Sequence, residues 1–144
     1  MRRVIYFDTS ALAKWYLNEP RSDEVEKYIQ EEGPVDISEL TLVEMRSLLA
    51  RHRREGQLDL KKEIAVFACF EEDVRQNFLV CHPFPADIAA GAVNLISMLT
   101  EFSIRTLDAL HLVIAKEIQA EILATADRVM AAAAKSMGFS VAEF

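Results

Sequence analysis

A chain of 144 residues, 51% apolar and with only four glycines and four prolines, can bury a core of its own and lacks the composition of a disordered segment. No signal-like pattern precedes the first apolar residues. The most apolar later stretch, 88–99, is too short for a bilayer and carries Asn94 and Ser97, so a soluble cytoplasmic protein with no membrane partner is expected. A net charge of −7 argues against a uniformly basic nucleic-acid binder, though not against a local basic strip.

Val4-Ile5-Tyr6-Phe7 is an apolar run without alternation, the pattern of a strand buried on both faces. Thr9-Ser10 opens a helical pattern over 11–17 that Pro20 stops. Residues 22–32 form a charged helix closed by Gly33-Pro34, and 35–38 a second strand. A helix over 41–54 sets Leu42, Met45, Leu48 and Leu49 on one face, and Gly56 ends it. A further helix runs from Leu58 to about Val74, and Phe78 to Cys81 is a third strand. Helices follow over 85–102, with Pro85 in the first turn, and over 106–120. Residues 122–125 form a fourth strand, 127–136 a helix, and 139–141 a last short strand. Alternating strands and helices predict a single α/β domain over 1–144, with a mainly parallel sheet covered on both faces. Cys69 and Cys81 have neither CxxC spacing nor His partners, and read as buried thiols rather than a zinc site.

In such sheets ligands bind beyond the carboxyl ends of the strands. Four acids fall there. Asp8 follows the first strand, Glu44 lies one turn into the helix after the second, Asp127 follows the fourth, and Asp108 opens the helix before it. Each has an ordinary structural explanation. Thr41 and Glu44 have the spacing of a capping box, Asp8 and Asp127 suit helix N-caps, and Asp108 suits the positive end of a helix two residues after a Thr106 cap. Together they mean more. Carboxylates meeting at one sheet end repel one another and raise their own pKa values unless a cation neutralises them, and an all-oxygen set selects a hard ion, Mg²⁺ or Mn²⁺. That combination suits phosphodiester hydrolysis. There is no phosphate-binding glycine loop, and His52, His82 and His111 are scattered, with His111 on the Asp108 helix face. A receiver-type phosphoacceptor needs an acidic neighbour for Asp8 and a late Lys, and both are missing.

The segments Val4 to Leu12 (VIYFDTSAL), Thr41 to Met45 (TLVEM), Arg105 to Leu112 (RTLDALHL) and Leu123 to Arg128 (LATADR) occur in the order and spacing of one family. On these motifs the chain resembles the PIN-domain nucleases, and among them VapC-type toxins of toxin–antitoxin pairs. The resemblance spans the whole chain. It implies a three-layer α/β/α sandwich, divalent-metal-dependent cleavage of RNA, an antitoxin partner and a homodimer. It maps the family's metal-binding acids onto Asp8, Glu44, Asp108 and Asp127, and its orienting hydroxyls onto Ser10 and Thr125. Ala124 and Ala126 depart from the pattern around Thr125 and leave Asp127 the least secure of the four. Lys14 and the arginines at 46, 51, 53 and 54 are candidates for gripping phosphate on charge alone, with a solvated helix face as the plain alternative. Trp15 and Tyr16 read either as core or as a partner surface. A PIN scaffold that binds RNA or protein without cleaving is the rival to the nuclease reading.

Overall fold

The computed structural model describes residues 2–144. Its elements are β1 (Ile5–Phe7), α1 (Thr9–Tyr16), α2 (Ser22–Glu32), β2 (Val35–Ser38), α3 (Glu39–Arg54), α4 (Leu60–Arg75), β3 (Leu79–His82), α5 (Ile88–Met98), α6 (Thr106–Glu117), β4 (Ile122–Thr125), α7 (Arg128–Ser136) and β5 (Ser140–Glu143). The five strands form one wholly parallel sheet in the order β3-β2-β1-β4-β5. The chain builds outward from β1 to β3, then returns to the other side of β1 for β4 and β5. The order therefore reverses between β1 and β4, and the crevice that sheet topology reserves for ligands opens at their carboxyl ends.

Strand alternation explains the layers. Ile5 and Phe7 of β1, with Val35 and Ile37 of β2, pack on one face against Leu12, Val25, Met45 and Phe70 from α1 to α4. Tyr6 and Leu123 point the other way, onto Leu95, Leu112, Ile114 and Met130 from α5 to α7. Both faces are covered, giving the three-layer α/β/α sandwich. Each fully buried side chain of this size contributes about 1.5–3 kcal/mol. Small residues of α7, Ala131, Ala133 and Ala134, are buried and let that helix lie close to the sheet. No helix among the described residues is long and apolar enough to cross a membrane.

Several boundaries differ from the sequence expectation. Helix α3 starts at Glu39, because the Ser38 N–H donates to Thr41 Oγ1 (3.2 Å) and these two residues form the capping box. Thr41 is thus inside the helix and Glu44 has no capping role. The α3–α4 turn consumes Leu58. Gly56 takes the left-handed conformation (φ +78°), which lets Gln57 N–H donate back to the His52 carbonyl at 2.8 Å. The Asp59 carboxylate then caps α4 by accepting from Lys62 N–H at 2.7 Å. Helix α5 is shorter than the apolar run suggests, and β5 continues to Glu143. Arg105, not Thr106, is the N-cap of α6. The thiols are not buried as expected: Cys69 is exposed, because the inward face of α4 is taken by Glu63, Val66 and Phe70, and Cys81, on the edge strand β3, is half-buried.

Candidate active site

Asp8 directly follows β1 and is 4% exposed. Its N–H donates to the Ala124 carbonyl of β4 at 3.0 Å, which ties it to the switch point. Its carboxylate caps α1, with Oδ1 accepting from Ala11 N–H (3.0 Å) and Ser10 Oγ–H (2.6 Å). Oδ2 accepts from Thr125 Oγ1 at 2.5 Å. Burial pushes the Asp8 carboxyl above the ordinary carboxylate range, against the pull of His111 and of the Ser10, Thr125 and Ala11 hydrogen bonds. The expected rise is therefore present at Asp8, but its cause is burial rather than the neighbouring acids.

Ser10 and Thr125 tie two ends of the site together. Ser10 Oγ also accepts from Ala126 N–H at 2.9 Å, and Thr125 Oγ1 accepts from Asp127 N–H at 3.0 Å. The loop after β4 is thus strapped to the start of α1. Asp127 caps α7, accepting from Met130 N–H at 2.9 Å, as its sequence position suggests. Asp108 sits in the first turn of α6, with Oδ2 accepting from Arg105 N–H at 3.2 Å.

Glu44 is held differently. Its Oε1 accepts from Thr9 Oγ1 at 2.7 Å and from His111 Nε2. An ionised carboxylate only accepts, so His111 carries a proton on Nε2. In the neutral tautomer His111 Nδ1 then accepts from the Tyr6 hydroxyl at 2.7 Å, and that hydroxyl accepts from Ser38 Oγ at 2.8 Å. This chain crosses from β2 through β1 to α6 and α3 inside the core. Burial alone would push the Glu44 carboxyl up. The His111 hydrogen bond, the charge that ring carries when protonated, and the Thr9 hydroxyl outweigh it and hold Glu44 below its ordinary value. The Tyr6 phenol is buried and pushed up.

The fold thus brings Asp8, Ser10, Thr125 and Asp127 into one hydrogen-bonded group, with Glu44 and Asp108 on flanking helices. Among the described residues, no three His, Cys, Asp or Glu side chains already converge as a metal-ligand cluster. The basic candidates separate. Lys14 Nζ donates to the Pro20 carbonyl at 2.7 Å, and Arg46 and Arg53 both pair with buried Glu63. Arg51 and Arg54 are exposed and pair with no carboxylate among the described residues. Trp15 and Tyr16 are half-buried against the core, unlike fully buried Leu12, and line a shallow depression with Lys62 and Cys69. Sequence reasoning missed Thr9, Tyr6 and Arg105, and for His111 it weighed support of the site from the Asp108 helix face against an ordinary packed histidine, preferring the latter. The signal for His111 was its place three residues after Asp108 on one helix face.

The sequence profile of the PIN domain matches residues 5–136. The chain is 30% identical over 140 residues to "Ribonuclease VapC46" of Mycobacterium tuberculosis, covering 96% of this chain and 95% of that relative. Its fold is similar to that of M. tuberculosis VapC20, described as a sarcin–ricin loop cleaving toxin (TM-score 0.70, 18% identity, 94% and 95% coverage). It is also similar to a DNA-bound VapBC structure from Salmonella typhimurium (TM-score 0.72, 16% identity, 99% and 98% coverage). With four acids on the strand ends and flanking helices and a profile match across nearly its whole length, the chain belongs to the PIN domain family.

Proposed function

We propose that this protein is an endoribonuclease that hydrolyses RNA phosphodiester bonds with Mg²⁺ or Mn²⁺ held by Asp8, Glu44, Asp108 and Asp127. We further propose that it is the toxin of a type II toxin–antitoxin pair and acts in the cytoplasm. The observation that carries the reading is Asp8. A carboxylate buried at the topological switch point is met by hydroxyls and a backbone N–H, but by no Lys or Arg. Its charge is left for an external cation to balance. The donor set fits a hard ion, since every donor is oxygen. Glu44 Oε2 and Asp108 Oδ1 have no hydrogen-bond partner among the described residues, so they are open to a ligand bond. A divalent cation, when bound, supplies charge compensation at phosphorus and an activated water.

The protein's own groups then have defined tasks. Ser10 and Thr125 orient Asp8 through both of its oxygens, and His111 and Thr9 keep Glu44 ionised and aimed. Arg51 and Arg54 offer free guanidinium groups to the RNA backbone. The relative's name, "Ribonuclease VapC46", supports the activity, and a toxin–antitoxin complex among the similar folds supports a cognate antitoxin partner; a homodimer is the assembly we propose.

The test is cleavage of a structured RNA by the purified protein with Mg²⁺ or Mn²⁺, beside Asp8→Asn and Asp108→Asn. Each substitution is expected to lower the rate by more than about 100-fold, beyond the loss typical of replacing a residue that only orients a ligand. EDTA should abolish cleavage. A wild-type protein that binds RNA but neither binds metal nor cleaves would favour the silent scaffold.

A further inference from the structure

Arg105 stands apart from every other cation in the protein. Its Nε lies 3.6 Å from Asp108 Oδ2 and its terminal nitrogen 3.5 Å from Asp127 Oδ2. Among the described residues it is the only Lys or Arg within 4.0 Å of any of the four acids. The two carboxylates it joins come from different elements, α6 and the β4–α7 corner. The Arg105 side chain is 80% exposed, against 15% for Asp108 and 30% for Asp127. The contacts are long for charge-assisted hydrogen bonds, which run at about 2.7–2.9 Å. Exposed pairs of this kind contribute little and break easily.

We propose that Arg105 is an exchangeable counter-ion. In the metal-free protein it neutralises Asp108 and Asp127. When a divalent cation is held by those carboxylates, the guanidinium is released and grips a phosphate of the RNA. The inference rests on the metal-dependent reading above and assigns a residue that reading does not use. Exposure and position carry it. A guanidinium anchored on the N-cap residue of α6 has no carboxylate other than these two within ion-pair distance, and its five donors suit a phosphate as well as a carboxylate. The loose pairing also distinguishes Arg105 from Arg2 and Arg46, whose carboxylate partners are buried in the fold.

The experiment is a Mn²⁺ titration of chelator-stripped protein by calorimetry, for wild type, Arg105→Ala, Arg105→Lys and Asp108→Asn. Arg128→Ala is the charge-matched control, since Arg128 is exposed, adjacent to Asp127 and outside ion-pair distance of the acids. Arg105→Ala is expected to bind Mn²⁺ about fivefold more tightly, the ratio that loss of one exposed pair of about 1 kcal/mol allows. Arg105→Lys should fall between it and wild type. Binding of a non-cleaved RNA in Ca²⁺ should weaken several-fold in Arg105→Ala, and its salt slope should fall by about 0.7. Unchanged or weaker Mn²⁺ binding, or equal tightening in Arg128→Ala, overturns the counter-ion role. Unchanged RNA binding overturns the phosphate role. If wild type binds no Mn²⁺ at all, the metal reading itself fails and takes this inference with it. If wild type binds and Asp108→Asn does not, the metal reading stands and Arg105 alone is on trial.

Discussion

Two buried carboxylates, about thirty residues apart in sequence, are treated in opposite ways. Asp36, in the middle of β2, has a fully buried side chain and is saturated by one guanidinium and further donors. Arg2 donates to both of its oxygens (2.9 and 3.0 Å), His82 Nε2 lies at 2.8 Å, and Ile5 N–H at 3.0 Å. Burial would push it up, but the Arg2 and His82 hydrogen bonds and the Ile5 N–H hold it below the ordinary range. Asp8 is equally inaccessible, yet meets only hydroxyls and one N–H, and burial wins. Glu63 follows the Asp36 pattern, clamped between Arg46 and Arg53. Where the fold needs a carboxylate for itself it supplies the counter-charge; at the end of β1 it leaves Asp8 without a Lys or Arg partner. On the proposed function, that difference separates structural acids such as Asp36 and Glu63 from Asp8, whose charge a ligand would balance.

Breaking the paired carboxylate should cost most. Asp36→Ala strands Arg2 and His82 and leaves Ile5 N–H unpartnered in the sheet. The expected loss is about 2–3 kcal/mol, under the usual cost of breaking a buried pair because Arg2 remains 37% exposed and can recover water. Urea denaturation checks it. The sign against pH follows from the depressed carboxyl. Its contribution is present above the unfolded Asp value of about 3.9 and is lost as pH falls through the lower folded value. Wild type and Asp36→Ala should therefore converge in stability at low pH.

The same residue type at Asp8 should respond with the opposite sign. Its folded pKa is raised, so ionisation costs stability above the unfolded value, and the cost is complete once pH exceeds the folded value. In EDTA at neutral pH, Asp8→Asn is expected to be more stable than wild type by about 1 kcal/mol, read as a rise of a few degrees in Tm. The gain should shrink as pH falls towards about 3.9. Added Mn²⁺ should raise the Tm of wild type and not of the variant. A destabilised Asp8→Asn in EDTA would mean that the Ser10, Ala11 and Thr125 hydrogen bonds outweigh burial, and that Asp8 is structural like Asp36.

How much of this is legible in the sequence depends on the range of the interactions. Strand β1 and the helices with a clear apolar stripe can be read because burial writes a local period into the chain. Asp8, Asp108 and Asp127 can be read because each follows or begins an element, and Glu44 because it sits in the TLVEM motif. The partners of those acids cannot. His111 meets Glu44 across 67 residues and Tyr6 across 105, and only the packing of α6 on the Tyr6 face of the sheet joins them. Asp36 reads as an ordinary polar residue in a short strand, and the arginine that neutralises it lies 34 residues away. The Thr41–Glu44 capping box fails for a local reason. Ser38, at the end of β2, is an equally good cap one turn earlier, and it starts α3 at Glu39.

The basic strip on α3 allows the finest test of the contrast. Charge alone groups the arginines at 46, 51, 53 and 54, but Arg46 and Arg53 are both held by Glu63, whereas Arg51 and Arg54 have no carboxylate partner among the described residues. Arg51 lies about 10 Å along the helix axis beyond Glu44. Arg51→Ala with Arg54→Ala should weaken RNA binding modestly and lower the slope of log K against log salt by about 0.7 for each phosphate no longer neutralised, leaving protein stability unchanged. Arg46→Ala and Arg53→Ala should do the reverse, lowering Tm while leaving the salt slope nearly intact. If all four substitutions change the slope equally, the Glu63 clamp does not hold its arginines in solution, and the division between structural and available charge fails on this helix.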